Sequence, residues 1–276
     1  TEVGFGGGRV FDPDPVEPEE PEEGFIDFVI NESVFVYGNT LSHSGDCVNG
    51  PGATIILTGD LNSANTNLGA AINVSNIYID GDVNISSGSA SLGSPTNPGR
   101  ICINGNLKID TGSRNIYGEV YVNGSCDLEG VWLHGNTSVN GDLTLRRDDT
   151  GLEDYARIYY TGALASFNNV NVSTLEKCIK QETVQGFAMP EQEIPSVKSA
   201  SWYAEKGYTT GGPLVDDIKV FAPSYTSTSS SAKNVIVIAH GGDITIKGEG
   251  IKVTGVFFAP KGKVTFEGDS LEGVII

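Results

Sequence analysis

The chain has 276 residues, with 35 acidic and 17 basic side chains and a formal net charge of −18, which opposes non-specific binding to nucleic acid or to anionic membranes. Its 36 glycines stand against one methionine and two tryptophans, a composition that favours turns and short strands over long helices. No apolar run approaches the roughly 18 residues that cross a bilayer, so the fragment itself is expected to make no membrane contact, and no signal peptide is visible.

Residues 1–24 read as an acidic, proline-rich linker. Gly6-Gly7-Gly8 is followed by Asp12-Pro13-Asp14-Pro15-Val16-Glu17-Pro18-Glu19-Glu20-Pro21-Glu22-Glu23. Proline extends the backbone and like charges repel, which predicts a stalk or a disordered spacer. The start at Thr1, without an initiator Met, leaves room for a signal or anchor segment upstream.

From Phe25 to residue 172 one phrase recurs. Ile77-Tyr78-Ile79-Asp80-Gly81-Asp82-Val83-Asn84-Ile85 alternates apolar and polar residues on either side of a Gly-Asp step, and Ile101–Ile109 and Val139–Leu145 repeat it. Its glycines fall at 38, 59, 81, 105, 124, 141 and 162, at intervals of 21, 22, 24, 19, 17 and 21 residues. A period near 20 residues with strands bent at glycine predicts an all-β, single-stranded β-solenoid, or parallel β-helix. Each coil would hydrogen-bond to the next at about 4.8 Å.

The alternation also assigns sides. Val34/Val36, Ile55/Leu57, Ile77/Ile79, Ile101/Ile103 and Val120/Val122 should point inward, as should Val83/Ile85, Leu107/Ile109, Cys126/Leu128 and Leu143/Leu145. The residue three before each glycine should point outward: Phe35, Ile56, Tyr78, Cys102, Tyr121, Ser138 and Tyr159. An apolar outward column is either covered by the chain itself or offered to a partner. Phe35, Ile56, Tyr78, Tyr121 and Tyr159 are therefore the candidate interaction face. Asn104, Asn123 and Asn140, each just before a glycine, would stack as an amide ladder.

Residues 173–233 read as an insertion with two short helices. Ser173-Thr174-Leu175-Glu176 is a capping box with Lys177–Gln181 continuing it, and Ser199–Lys206 is a second helix closed by Gly207. Asp217–Phe221 suits a strand and Thr226–Ser231 a flexible loop. Phe187, Trp202, Tyr203 and Tyr208 are suited to covering the outward column. The repeat resumes over 234–276, where Ile236–Gly248 aligns with Val256–Gly268 at an offset of 20 and Gly273-Val274-Ile275-Ile276 begins one more coil. Val274–Ile276 would then be an edge strand, unless the natural chain continues.

Chemistry-bearing residues are few. Cys47, Cys102, Cys126 and Cys178 permit two disulfides in three pairings, but suit buried thiols better. His43, His134 and His240 lack metal-ligand spacing. No Gly-x-Ser-x-Gly elbow occurs. Asp60, Asp82 and Asp142 repeat at one position of the coil, and Asp148-Asp149 lies near Glu153-Asp154 and Arg146, Arg147 and Arg157. A carboxylate pair on one face would suit polysaccharide cleavage, although stacked acids are usually solvated turn residues. No cofactor is implied. Lys247, Lys252, Lys261 and Lys263 form a candidate basic patch that would contact phosphate, DNA included.

The stretch Gly255-Val256-Phe257-Phe258-Ala259-Pro260-Lys261-Gly262-Lys263-Val264-Thr265-Phe266, with Leu271-Glu272-Gly273-Val274-Ile275, resembles β-solenoid-bearing type IV pilin-like proteins, minor and competence-type pilins, and more distantly bactofilins. The resemblance implies a hydrophobic N-terminal helix upstream, filament subunits as partners, and no catalytic residues. The expectation is a non-enzymatic structural or adhesive protein of the bacterial cell surface. A polysaccharide-binding or polysaccharide-cleaving β-helix is the first alternative, and a bactofilin-like polymer-forming scaffold the second.

Overall fold

A computed structural model describes residues 24–42, 47–62, 71–86, 91–110, 113–167, 169–228 and 230–276. The linker of residues 1–23 and His43 lie outside these ranges. The alternating segments form short strands, every pairing is parallel, and the chain winds as an all-β solenoid of about 11 turns. One strand per turn lies on a shared first face, in the order Cys178–Lys180, Ile158–Tyr160, Thr137–Val139, Glu119–Val122, Arg100–Ile103, Ala71–Ile79, Cys47–Leu57, Val34–Gly38, Ser270–Ile275, Lys252–Phe258, Ala232–Ala239 and Lys219–Ala222.

The N-terminal turns are three-sided. A second face carries Leu61–Asn62, Val83–Ile85, Leu107–Ile109, Cys126–Leu128, Leu143–Leu145 and Leu164–Ser166. A third carries Ser91–Leu92, Arg114–Ile116, Val131–Leu133 and Gly151–Leu152, joined to the first sheet where the long strand Ala71–Ile79 turns the corner. The C-terminal turns carry a three-stranded sheet of Tyr225–Ser227, Ile244–Lys247 and Val264–Glu267. The inward residues read from the alternation, from Ile55 through Leu145, form one buried apolar column. Cys126 belongs to it at 1% exposure, so its thiol behaves as a small core hydrophobe.

The Gly-Asp step acts as a corner staple. Asp60 Oδ1 accepts from Asp82 N at 2.8 Å, Asp82 Oδ1 from Asn106 N at 2.7 Å, and Asn106 Oδ1 from Ser125 N at 2.9 Å. Asp142 Oδ1 accepts from Ala163 N at 2.7 Å, and in the C-terminal turns Asp243 Oδ1 accepts from Lys263 N at 2.9 Å. The glycine must precede the acid because a Cβ on Gly81 would stand 2.4 Å from Asp60 Oδ1, and one on Gly105 2.4 Å from Asp82 Oδ1. The amide ladder forms in part. Asn104 Nδ2 donates to Asp80 and Asn123 Nδ2 to Asn104, whereas Asn140 accepts from Thr161 instead.

Several expected elements differ. Residues Phe25–Asn31 form helix α1 rather than a coil strand, and pack Phe25 and Phe28 against Tyr37. A register shift between Val34 and Val36 makes Phe35 an extra residue, so Tyr37, not Phe35, pairs with Ile56 in the outward column. Phe35 packs on the main core instead, and Val34 packs on the opposite side with Phe28. Helix α2 is confined to Val172–Leu175, and Cys178–Lys180 is a strand paired with Ile158–Tyr160. An open backbone edge outweighs the local helical preference there. The coils resume at Lys219–Ala222 and Tyr225–Ser227, earlier than residue 234. Helix α3 (Ala200–Glu205) is as read, with the Ser199 side chain accepting from Trp202 N and Gly207 at φ +81°.

The C-terminal turns do not extend the stack past Cys178–Lys180. They occupy its opposite end, and Ser270–Ile275 lies between Lys252–Phe258 and Val34–Gly38. The last strand is thus interior, not an edge, and the chain's end meets its first strand. Ile275 packs on both halves of the core and joins them.

Two outcomes follow from these bonds. Asp82→Ala should destabilise the fold by about 1–3 kcal/mol, because it removes acceptors for Asn106 N and Nδ2, whereas Asp82→Asn, which keeps the oxygen, should stay near wild type in urea unfolding. Removing residues 273–276 should split one calorimetric unfolding transition into two, since Ile275 bridges the halves; a single transition at unchanged temperature would show that the junction carries no load.

Candidate interaction groove

The outward column of the first face is in strict register: Tyr37, Ile56, Tyr78, Cys102, Tyr121, Ser138, Tyr159 and Ile179 pair in sequence. Residues 181–217 run back along this column as a strap from one end of the stack to the other. Phe187 lies 6.4 Å from Tyr121, and Tyr37 OH donates to Gln192 O at 2.7 Å. Met189 and Ile194 pack on the cluster of Tyr37, Ile56 and Tyr78. Past the junction Tyr203 stacks on Phe221 at 3.9 Å, beside Tyr208, Ile238 and Phe258.

Of the four aromatics expected to cover that column only Phe187 does so; Tyr203 and Tyr208 cover the corresponding face of the C-terminal turns instead, and Trp202 is 41% exposed. As a consequence Ile56 (0% exposed) and Tyr121 (4%) are not available to a partner. Tyr78 and Tyr159 stay partly exposed. The proposed face is corrected accordingly: most of it is interior, because an apolar stripe gains more from its own chain than from water.

What stays open is the border of that column. A hollow of 240 Å³ is lined by Glu119, Tyr121, Asn136, Ser138, Tyr159, Gln181 and Gln185. A larger one of 630 Å³ adjoins it, bordered by Asn76, Arg100, Glu119, His134, Asn136 and Tyr155. Both share Glu119 and Asn136, so they form one groove along the corner between the third and first faces.

Its floor is an ordered column. Asn76, Arg100, Glu119, Asn136 and Arg157 occupy the same register position on successive turns, since Ile77 pairs with Ile101, Arg100 with Glu119, Val120 with Thr137 and Thr137 with Ile158. Asn76 Oδ1 accepts from Arg100 N at 3.2 Å and Asn136 Oδ1 from Arg157 N at 3.0 Å. Tyr121 OH donates to Glu119 Oε2 at 2.5 Å; burial first, and this bond second, push the Tyr121 hydroxyl up to about 12. The Arg100 guanidinium stands 5.8 Å over the Tyr121 ring.

An aromatic wall flanks this floor. Tyr117 stacks on His134 at 4.3 Å. His134 Nδ1 lies 2.9 Å from Glu153 Oε1 and Nε2 2.8 Å from Asn115 Oδ1. Trp132 Nε1 donates to the same Glu153 oxygen at 3.1 Å, and Tyr155 OH donates to His134 O at 2.9 Å. The rings of Trp132 and Tyr155 are 43% and 72% exposed. The repeat pattern did not point here, because Tyr117, His134 and Tyr155 lie at the irregular corners and Trp132 on the third face, which the glycine motif does not mark. The signal was the clustering of Tyr117, Trp132, His134 and Tyr155 over three turns.

The acidic residues weighed for catalysis are dispersed. Asp60, Asp82 and Asp142 are corner staples. Arg146 clamps Asp127 at 2.6 and 2.7 Å, Arg147 pairs with Asp149 and Glu129, and Lys177 with Asp154. Among the described residues no three His, Cys, Asp or Glu side chains converge as a metal site. The four lysines do not form one patch. Lys247 pairs with Glu267 at 2.7 Å and Lys252 opens its strand at the same corner, while Lys261 and Lys263 precede the other end of Val264–Glu267, roughly 13 Å along a four-residue strand. His240 stacks on Phe221 at 4.6 Å.

Cys102, Cys126 and Cys178 are free thiols. Burial pushes Cys102 up to about 12 and Cys178 to about 11, and raises Cys126 also. Thiolate is therefore scarce at pH 8, and Cys102 and Cys126 should resist a chromogenic disulfide reagent in the native protein and react only on unfolding; rapid native labelling of either would contradict their burial. Searches of protein-family models, curated proteins and solved structures return no match to this chain.

Proposed function

We propose that the chain is a non-enzymatic structural and adhesive scaffold of the bacterial surface, a pilus-associated solenoid in which a rigid stack holds a binding groove away from the cell. The observation that carries this reading is the engagement of the carboxylates: those that repeat along the stack are staples between turns, and Asp149, Glu153 and Asp154 of the remaining acid cluster each face a different partner, Arg147, His134 and Lys177. Such a surface favours holding a ligand over transforming one. The resemblance to pilin-like solenoids adds other filament subunits as partners.

Cell-surface exposure supplies the test. A protease added to intact cells should digest the protein, and antiserum to the domain should label the cell exterior or its filaments. Protection from protease until the cells are lysed, together with a cytosolic start at this point of the gene, would sink the reading and favour a polymer-forming internal scaffold.

A further inference from the structure

The groove beside the strap has a chemistry that narrows its ligand. Its floor presents an amide, a guanidinium, a carboxylate and a second amide from Asn76, Arg100, Glu119 and Asn136, one per turn, at the roughly 4.8 Å spacing of stacked coils. That spacing is close to the length of one sugar unit in an extended glycan. Tyr121 holds Glu119 Oε2, which leaves Oε1 to accept, and Arg157 N holds Asn136 Oδ1, which leaves Nδ2 to donate. Vicinal hydroxyls require such paired donors and acceptors.

Tyr155 supplies the apolar half of the site. Its ring is 72% exposed and its hydroxyl is tied to His134 O, so the ring is held in place beside the groove with its face open to a sugar. The hollow is open to solvent rather than enclosed, which suits a chain lying along it better than an engulfed small molecule. The net charge of −18 opposes polyanions.

We propose that this groove binds a neutral polysaccharide chain lying along the solenoid axis, with Tyr155 as the stacking platform and Glu119 and Asn136 as hydroxyl partners. The assignment rests on the reading of the chain as a surface scaffold that presents a binding face.

Affinity electrophoresis of the whole chain through gels containing hydroxyethyl cellulose, xylan, glucomannan or polygalacturonate tests it. At least one neutral polymer should retard the protein. Tyr155→Ala should weaken that retardation at least tenfold and Asn136→Ala severalfold, while Tyr155→Phe, which keeps the ring, should bind within about threefold of wild type. Trp202→Ala, an exposed aromatic on the strap outside the groove, should not change binding. Thermal unfolding of each variant separates lost binding from lost fold. Retardation by polygalacturonate alone, by no neutral polymer, or unchanged by Tyr155→Ala overturns the groove assignment. Any of these in a protein still accessible on intact cells leaves the surface reading standing, so the two fail separately.

Discussion

Each turn of a parallel solenoid depends on hydrogen bonds to the turns on both sides, because no single coil can bury its own apolar side chains or pair its own backbone. That constraint shapes the molecule from the residue upward. It demands an inward apolar column, a tight corner once per turn, and a partner for each edge strand. The corners are met by glycine followed by Asp or Asn. Removing Cβ lets the next turn approach closely, and the side-chain oxygen fills that space by accepting the next turn's N–H.

The same constraint explains the route of the chain. A simple solenoid begins and ends on unpaired strands. Here the chain leaves its N-terminal stack at Cys178–Lys180, crosses the first face, and builds its last turns toward the strand with which it began. Two potential edges, at Val34–Gly38 and Ser270–Ile275, cover one another. The strap that makes this route possible also buries the outward aromatic column, so one segment serves both connectivity and packing. The edges that remain on the first face, Cys178–Lys180 and Lys219–Ala222, are short, and Thr209 bridges to Val220 beside the latter.

Because the strap covers the apolar column, the functional surface is displaced to its border. The groove exists where the strap leaves the stack at Gln181 and Gln185 and where the corner residues Tyr155 and His134 rise above the turns. Its floor inherits the register of the solenoid, which is why polar groups far apart in sequence, from Asn76 to Asn136, stand in one line. Its rings are held by hydrogen bonds to neighbouring turns and not by a core, which keeps them exposed yet fixed.

The alternation and the glycine period by themselves determined the all-β solenoid, the inward residues from Ile55 to Leu145 and the 20-residue offset of the last turns, because each is a local pattern that one turn repeats, and helix α3 was legible from its own cap residues, Ser199 and Gly207. Phe35 was misplaced because a single extra residue in the first strand shifts register without disturbing the alternation. Cys178–Lys180 reads locally as a helix end and becomes a strand only because an edge awaits it. The meeting of Ile275 with Val36, the burial of Ile56 and Tyr121, the dispersal of the four lysines and the groove between Asn76 and Tyr155 were decided by tertiary structure. Each depends on which turn lies next to which, and the stacking order here is not the order of the chain.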